Sequence, residues 1–503
     1  MTTYMTDNPN VILIFADDLG RGMLSCYGQQ HFETPNIDRL ASQGMKFNHA
    51  YGCAFCAPSR ASMLTGIHDC HQGTWTYTQG GLYHRLSAGE LTLDQITELL
   101  HTTGLQAGPD DVFLAQIAEE AGYVTGQIGK LEWGFATTGA RIRRHGWQYH
   151  YGYYDHQRCH GFYPPYLFEN GQTTPIRGNT HADCAVNPNT ESPENMEFRR
   201  NRQGKAVYSQ DIFNEKIIEF LRTHHDKPFF LYHPSQLPHG PIAVPDIHPA
   251  VKQVSALTTY EKEYASMILK LDETVSIILD ELEQLGIDDR TMIVFSADNG
   301  HEVYYRQQGR TTGRQVDLEG NQFDDITTKF YSETGGDVFN GNDGMGGLKW
   351  SSWEGGTRIP YIVRWPGRVT PNSVSDHMLT NYDLMPTLAD FIGAEMPQDK
   401  DGVSFLPTLL ERCEDQQHHE WIIYASRLGP ALVTAEGWKL RYINRTDSFQ
   451  LYHLPNDYRE ENDLSADHPD FVTRLSGWMR NACDGDYRNG TPQAHFVAYP
   501  DEN

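Results

Sequence analysis

The sequence predicts an α/β protein: a large central, mostly parallel mixed β-sheet flanked by helices on both faces, plus a smaller C-terminal antiparallel sheet with a packed helix. Three observations predict it. The runs Asn10–Ala16 (NVILIFA) and Thr291–Ala297 (TMIVFSA) are continuously apolar, as in strands buried on both faces. Strand-like and amphipathic helical segments alternate between them, the pattern of a sheet with helical crossovers. Beyond about residue 395 the texture changes to short strands divided by turns.

Along the chain, the first strand ends at Asp17-Asp18. Thr34-Pro35 opens a short helix, since proline is preorganised for a first helical turn; it runs to Ser42 and Gly44 closes it. Residues 45–50 read as a strand and 59–65 as a helix, with Cys56 near its N-terminus. An amphipathic helix over 112–121 precedes a strand over 124–128 that ends at Gly129-Lys130. A helix over 212–222, a strand over 228–233 and a long helix over 260–285 follow, the last closed by Gly286. The strand Thr291–Ala297 again ends in polar residues, Asp298-Asn299-Gly300. Residues 302–347 show no period, and a loop of that length is usually functional or disordered. Tyr361–Arg364 is the next strand. The C-terminal strands are expected at 421–425, 431–434, 438–443 and 449–453, with a helix from about 471. The organisation is read as a catalytic α/β domain over 1–395 and an α+β subdomain over 396–503.

With 503 residues and a net charge of −26, the chain is a poor nucleic-acid ligand, because phosphate binding needs basic patches. An anionic substrate then needs a local positive field from a few Arg, Lys and a cation. No apolar run approaches the roughly 20 residues of a membrane span, so no membrane partner is expected. Residues 1–9 are polar and lack the plan of a signal peptide. The expectation is a cytoplasmic protein, or a periplasmic or secreted one whose signal has been removed. Among eight cysteines, Cys53 and Cys56 form C-x-x-C, a spacing also found in redox motifs.

Two acidic pairs sit at predicted strand ends. Asp17, Asp18 and Asp298 with the amide oxygen of Asn299 suit a hard divalent cation, Ca²⁺ or Mg²⁺. Asp-Asp and Asp-Asn-Gly are also ordinary turn formers. Between them lies Cys56-Ala57-Pro58-Ser59-Arg60, followed by Leu64-Thr65-Gly66.

That string, with NVILIFADDLG near the start and WKLRY…QLYHLPND…EENDL near the end, resembles the type I, formylglycine-dependent sulfatases of the alkaline phosphatase superfamily, and most of all the microbial carbohydrate sulfatases. The resemblance covers most of the chain. It implies that Cys56 is oxidised to formylglycine by a formylglycine-generating or anaerobic maturase enzyme. It assigns Asp17, Asp18, Asp298, Asn299 and the modified Cys56 to the cation, and Arg60 to orienting the formylglycine. Lys130 of Gly129-Lys130 and Lys349 of Gly347-Leu348-Lys349 are placed on the sulfate oxygens. His239 of Pro238-His239-Gly240-Pro241 is placed on the leaving group. The implied activity is hydrolysis of a sulfate ester.

One departure stands out. Many members read Gly-Lys-Trp-His-Leu-Gly, with the histidine assisting sulfate elimination; here the stretch is Gly129-Lys130-Leu131-Glu132-Trp133-Gly134. Glu132 occupies the histidine position, and Glu132 and His301 are the two candidates for its role. For substrate binding, Arg143, Arg158, His160 and His301 are the candidates, in a stretch (Arg141 to His160) rich in Arg, Trp and Tyr. Aromatic faces stack on sugars and guanidinium forks clamp sulfates, although aromatics equally build cores. Tyr304, Tyr305, Arg306, Arg310 and Arg314 offer further subsite material. A sulfated oligosaccharide or polysaccharide is the expected substrate, with a marine galactan such as carrageenan as first guess.

Three other readings compete. One is an arylsulfatase of broad specificity. Another is a phosphate or phosphonate monoester hydrolase of the same superfamily, a two-zinc phosphatase needing further His and Asp ligands. The last is a non-catalytic sulfated-glycan binding protein, for which unmodified Cys56 suffices.

Overall fold

The computed structural model describes residues 8–73, 77–78, 80–103, 111–180, 197, 199–313, 329–491 and 496–497. Arg314 lies outside them.

The central sheet has ten strands: β1 (Asn10–Ala16), β2 (Met45–Phe47), β3 (Val124–Gly129), β4 (Tyr149–Gly152), β5 (Tyr166–Glu169), β6 (Gln172–Pro175), β7 (Phe229–Pro234), β8 (Thr291–Ala297), β9 (Tyr361–Arg364) and β10 (Ser373–Ser375). Their spatial order is β10-β2-β9-β8-β1-β7-β3-β4-β5-β6. The middle five, β8-β1-β7-β3-β4, are parallel. Antiparallel pairings begin outside them, at β8–β9 and β4–β5. Every residue of β1 and β8 is buried, which is why neither run alternates.

Two groups of helices cover the sheet. One comprises α1 (Pro35–Ser42), α4 (Ser209–His224) and the long α5 (Thr259–Gln284), which packs against both. Thr258 caps α5, accepting from Glu261 N while Glu261 reaches back. The other comprises α2 (Cys56–Thr65), α3 (Leu114–Glu120) and α6 (Leu384–Ile392). No helix among the described residues is long and apolar enough to cross a membrane.

The C-terminal sheet is antiparallel in sequence order: β11 (Trp421–Tyr424), β12 (Ala431–Thr434), β13 (Trp438–Ile443) and β14 (Ser448–His453). Leu475 and Met479 of α7 (Pro469–Ala482) pack on one face of it with Leu432, Leu440 and Leu451. Phe405, Leu406 and Leu409 belong to the main core, beyond residue 395. A buried ion cluster joins the two parts. Lys439 Nζ of β13 sits 2.8 Å from Glu354 Oε1 and 2.9 Å from Glu460 Oε1, and Arg358 Nε donates to Glu354 Oε2 at 2.8 Å.

Two expectations change. The single strand over 45–50 is two short pieces, Met45–Phe47 and Ala50–Tyr51. The stretch expected to stack on sugars supplies the strand β4 and core: Trp147, Tyr151, Tyr153 and Tyr154 are buried, and Tyr154 stacks on Phe168 of β5 with centroids 4.0 Å apart.

Candidate active site

The site is built where β1 and β8 end. They are neighbours in register, Ala16 opposite Ala297, so Asp17-Asp18 and Asp298-Asn299 emerge together at the carboxyl edge. All four are fully buried. Asp298 Oδ1 accepts from Asp18 N (3.0 Å) and from Asn299 N (2.9 Å), while Asn299 Nδ2 donates to Asp18 Oδ1 at 2.9 Å.

Cys56 is the first residue of α2 and is buried. One turn on, Arg60 grips Asp298 Oδ2 through Nη2 (2.7 Å) and Nε (3.1 Å), and reaches Asp17 Oδ1 at 3.5 Å. Lys130, just past β3, donates through Nζ to Asp17 Oδ2. Lys349 Nζ donates to Asp18 Oδ2 at 2.7 Å and lies 3.2 Å from His239 Nε2. Tyr304 donates its hydroxyl to the same Asp18 oxygen. His239 Nδ1 faces the carbonyl of Gly240 at 2.5 Å. A carbonyl only accepts, so Nδ1 carries the hydrogen and Nε2 is left to accept from Lys349.

Burial works to raise the Asp17 carboxyl, but Lys130, His239 and Arg60 hold it well below the usual range. Burial likewise opposes ionisation of Asp18, and Lys349 and His239 outweigh it. Asp298 is pushed up to about 7, by burial first and then by the Asp17 charge. Burial lifts the Cys56 thiol to about 11, against the pull of Lys130 and Lys349. Burial lowers His239 to about 4. An unmodified Cys56 is therefore a protonated thiol at neutral pH, a poor nucleophile.

Asp17 Oδ1 and Asn299 Oδ1 are buried and make no hydrogen bond. Oxygens of Asp17 and Asp298 lie within 4.8 Å of each other and of the Cys56 sulfur. Two such unsatisfied oxygens beside two further carboxylates fit a hard cation with oxygen ligands.

The structure brings Asp17, Asp18, Cys56, Arg60, Lys130, His239, Asp298, Asn299 and Lys349 together. His160 joins them: its ring stacks on His239 with centroids 3.7 Å apart. Five of the expected residues do not meet the centre. Both oxygens of Glu132 are occupied, by His145 Nδ1 at 2.7 Å and Trp147 Nε1 at 3.0 Å, in a fully buried network. Arg143 is half-exposed and paired with Glu119. Arg158 is buried under Tyr166, its Cζ 4.0 Å from the ring centroid. His301 is buried against the Tyr305 hydroxyl at 2.9 Å, and only its carbonyl supports the site, accepting from Lys349 N at 2.8 Å. Arg310 holds Glu261. Cys53 and Cys56 are both free thiols.

One residue at the centre was missed. His156, in the loop after β4, places Nε2 4.0 Å from Cys56 Sγ, in van der Waals contact. It packs against Phe135 and His160, each with centroids 4.6 Å apart. The available signal was the cluster His156-x-x-Cys159-His160, whose side chains gather on one side of a tight turn.

Comparison with known proteins agrees with this geometry. The Sulfatase family model matches residues 9–394, and the model of the N-sulphoglucosamine sulphohydrolase C-terminal region matches 349–475. The chain is 29% identical to an N-acetylgalactosamine-6-O-sulfatase of Bacteroides thetaiotaomicron, across 94% of this chain and 92% of that one. It is 26% identical to a sulfatase of Formosa agariphila, across 92% and 85%. A solved structure from work on metabolism of multiple glycosaminoglycans by Bacteroides thetaiotaomicron superposes with a TM-score of 0.68 at 26% identity, covering 95% of this chain and all of that one. Ps i-CgsB in complex with k-i-k-neocarrahexaose shares the fold, with a TM-score of 0.69 at 22% identity over 96% and 95%. The chain belongs to the sulfatase family, the sulfuric ester hydrolases.

Proposed function

We propose that this sulfatase removes sulfate from a sulfated carbohydrate, with Cys56 oxidised to formylglycine by a maturase and Ca²⁺ or Mg²⁺ held by Asp17, Asp18, Asp298 and Asn299. The observation that carries the reading is the convergence on Cys56 of two buried lysines and an oxygen-lined cation site with two unsatisfied oxygens. The B. thetaiotaomicron relative is named for N-acetylgalactosamine 6-sulfate, and the Ps i-CgsB complex holds a neocarrahexaose. Both support a glycan, and the second keeps carrageenan among the first substrates to try.

The hydrated formylglycine supplies an oxygen nucleophile and a second hydroxyl, and the cation supplies Lewis acidity beside them. The protein's own groups do the rest. Lys130 and Lys349 are ammonium groups with three donors each, and they meet the non-bridging sulfate oxygens, where charge is spread in the transition state. His239 and Lys349 act as a donor pair: the Lys349 ammonium passes a proton to the bare Nε2 of His239 beside it, and that Nε2 hydrogen goes on to the leaving oxygen while Nδ1 stays on the Gly240 carbonyl. Arg60 locks Asp298. His156, not Glu132 or His301, takes the proton whose removal releases sulfate, because of the three its ring is the one that contacts the Cys56 side chain.

The test is sulfate release from defined sulfated oligosaccharides, read by mass, alongside the mass of the Cys56 peptide. Active enzyme whose Cys56 is a plain thiol sinks the formylglycine assignment. A phosphonate monoester hydrolase of Agrobacterium radiobacter shares the fold, with a TM-score of 0.54 at 16% identity. Parallel rates on 4-nitrophenyl sulfate and phosphate, with a count of bound metal, separate that chemistry.

A further inference from the structure

A second charged cavity lies beside the site and has no part in the chemistry above. It encloses about 530 Å³, within the roughly 300–1,000 Å³ of ligand pockets. Among the described residues, Arg199, Arg200, Arg202 and Lys252 line it with the two carboxylates Glu263 and Asp246, in a protein of net charge −26. A local positive excess on so acidic a chain is a feature to be explained.

Among the described residues, Arg199 and Arg200 share one carboxylate and Arg202 meets only neutral acceptors. Arg199 Nη1 meets Glu263 Oε2 at 2.5 Å and Arg200 Nε meets Glu263 Oε1 at 3.0 Å, so one carboxylate serves two cations. Arg202 donates to the carbonyls of Val244 and Pro245 and to the Tyr163 hydroxyl, all neutral acceptors. Arg200 and Lys252 are exposed at the mouth. Ile242 is buried in the wall.

The cavity adjoins the catalytic centre by two routes. His160 and His239 stack over Asp18 and Lys349. Tyr163, which Arg202 grips, is three residues beyond His160, and the wall residue Ile242 is three beyond His239. Three residues span at most about 10 Å, the length of one or two sugar rings.

We propose that this cavity binds a second anionic group of the glycan, a sulfate or a carboxylate one or two sugars from the sulfate being removed. The substrate is then a polyanion, read at two points. The inference rests on a carbohydrate substrate, and its test is made by binding, apart from turnover.

The protein is the Cys56→Ala variant with Ca²⁺, titrated calorimetrically with three disaccharides that share one target sulfate. One carries no other anion, one a second sulfate on the neighbouring sugar, and one a carboxylate there. At least one dianionic ligand should bind about tenfold tighter than the monoanionic one, the yield of one charge-assisted contact. Adding Arg200→Ala and Lys252→Ala, both surface changes, should remove that advantage while shifting the monoanionic affinity by less than about twofold. The preferred dianion names the group. The proposal is overturned when neither dianion binds tighter, or when the advantage survives the double substitution. Tight dianion binding lost in the variant, with wild-type enzyme releasing no sulfate from any carbohydrate, leaves the cavity assigned and refutes the proposed function instead.

Discussion

Replacing His156 by Ala removes the one imidazole that, among the described residues, contacts the Cys56 side chain, 4.0 Å from Nε2 to Sγ. A positioned proton acceptor contributes about 10²–10⁴-fold, or about 2.7–5.5 kcal/mol at 1.36 kcal/mol per decade. The structure favours the lower end, because the His160 ring lies 4.6 Å from that of His156 and offers a second nitrogen. His156→Ala should therefore lower kcat about 100-fold, and His156→Ala with His160→Ala by more. The assay is rapid-mix product analysis. If His156 acts after the leaving alcohol has departed, the variant yields a burst of about one alcohol per active site, followed by slow sulfate release. A kcat within about threefold of wild type refutes the assignment. So does a comparable loss of kcat without a burst, which places His156 in the first step.

Other expectations follow from the same geometry. Glu132→Gln loses a charge-assisted bond in the buried His145–Trp147 network, so it should cost about 1–3 kcal/mol in thermal or urea unfolding with kcat/KM within about threefold; a large kcat loss at unchanged stability restores Glu132 to the chemistry. Ca²⁺ at 100 times its Kd should stabilise the protein by about 2.7 kcal/mol, an increment that Asp17→Asn reduces and that calorimetric melting with and without chelator reads. Burial disfavours the Glu354 charge, yet Arg358 and Lys439 hold the carboxyl down at about 2, against an ordinary 4.5. A depressed folded value stabilises above the unfolded one, so this contribution, on the order of 3 kcal/mol, is present above pH 4.5 and fades as pH falls toward 2. Glu354→Gln should melt lower at pH 7 and lose less further stability on acidification than wild type.

The parts of the fold that periodicity marks were legible. Thr291–Ala297, Tyr361–Arg364, Ala431–Thr434 and Trp438–Ile443 fall where the sequence places strands. The strands β4 to β6 were not, because Tyr149 to Gly152 reads equally as core or as a sugar platform, and burial decides between them. The strand-end carboxylates, Cys56 and the lysines were legible because each sits in a short string. His156 was not, because it reaches Cys56 across 100 positions and carries no string of its own. Glu132 misled because a matching position in a motif fixes where the backbone runs; His145 and Trp147, brought over by the next helix and strand, decide what its side chain touches.

The burial of Cys56 sets a deadline. At 2% exposure its sulfur lies beyond the reach of any maturase working on the finished molecule, so on the proposed reading the oxidation happens to a chain still being assembled. Lys349 follows Gly347 and precedes the helix that begins at Glu354, whose backbone N–H is held by Glu460 Oε2 at 2.8 Å. That end of the pocket cannot set before residue 460 has been made. At roughly 5–20 residues per second, the roughly 400 residues between Cys56 and Glu460 take about 20–80 s to emerge. On that reading, the late C-terminal residues give a maturase this interval to reach Cys56 before the pocket closes over it.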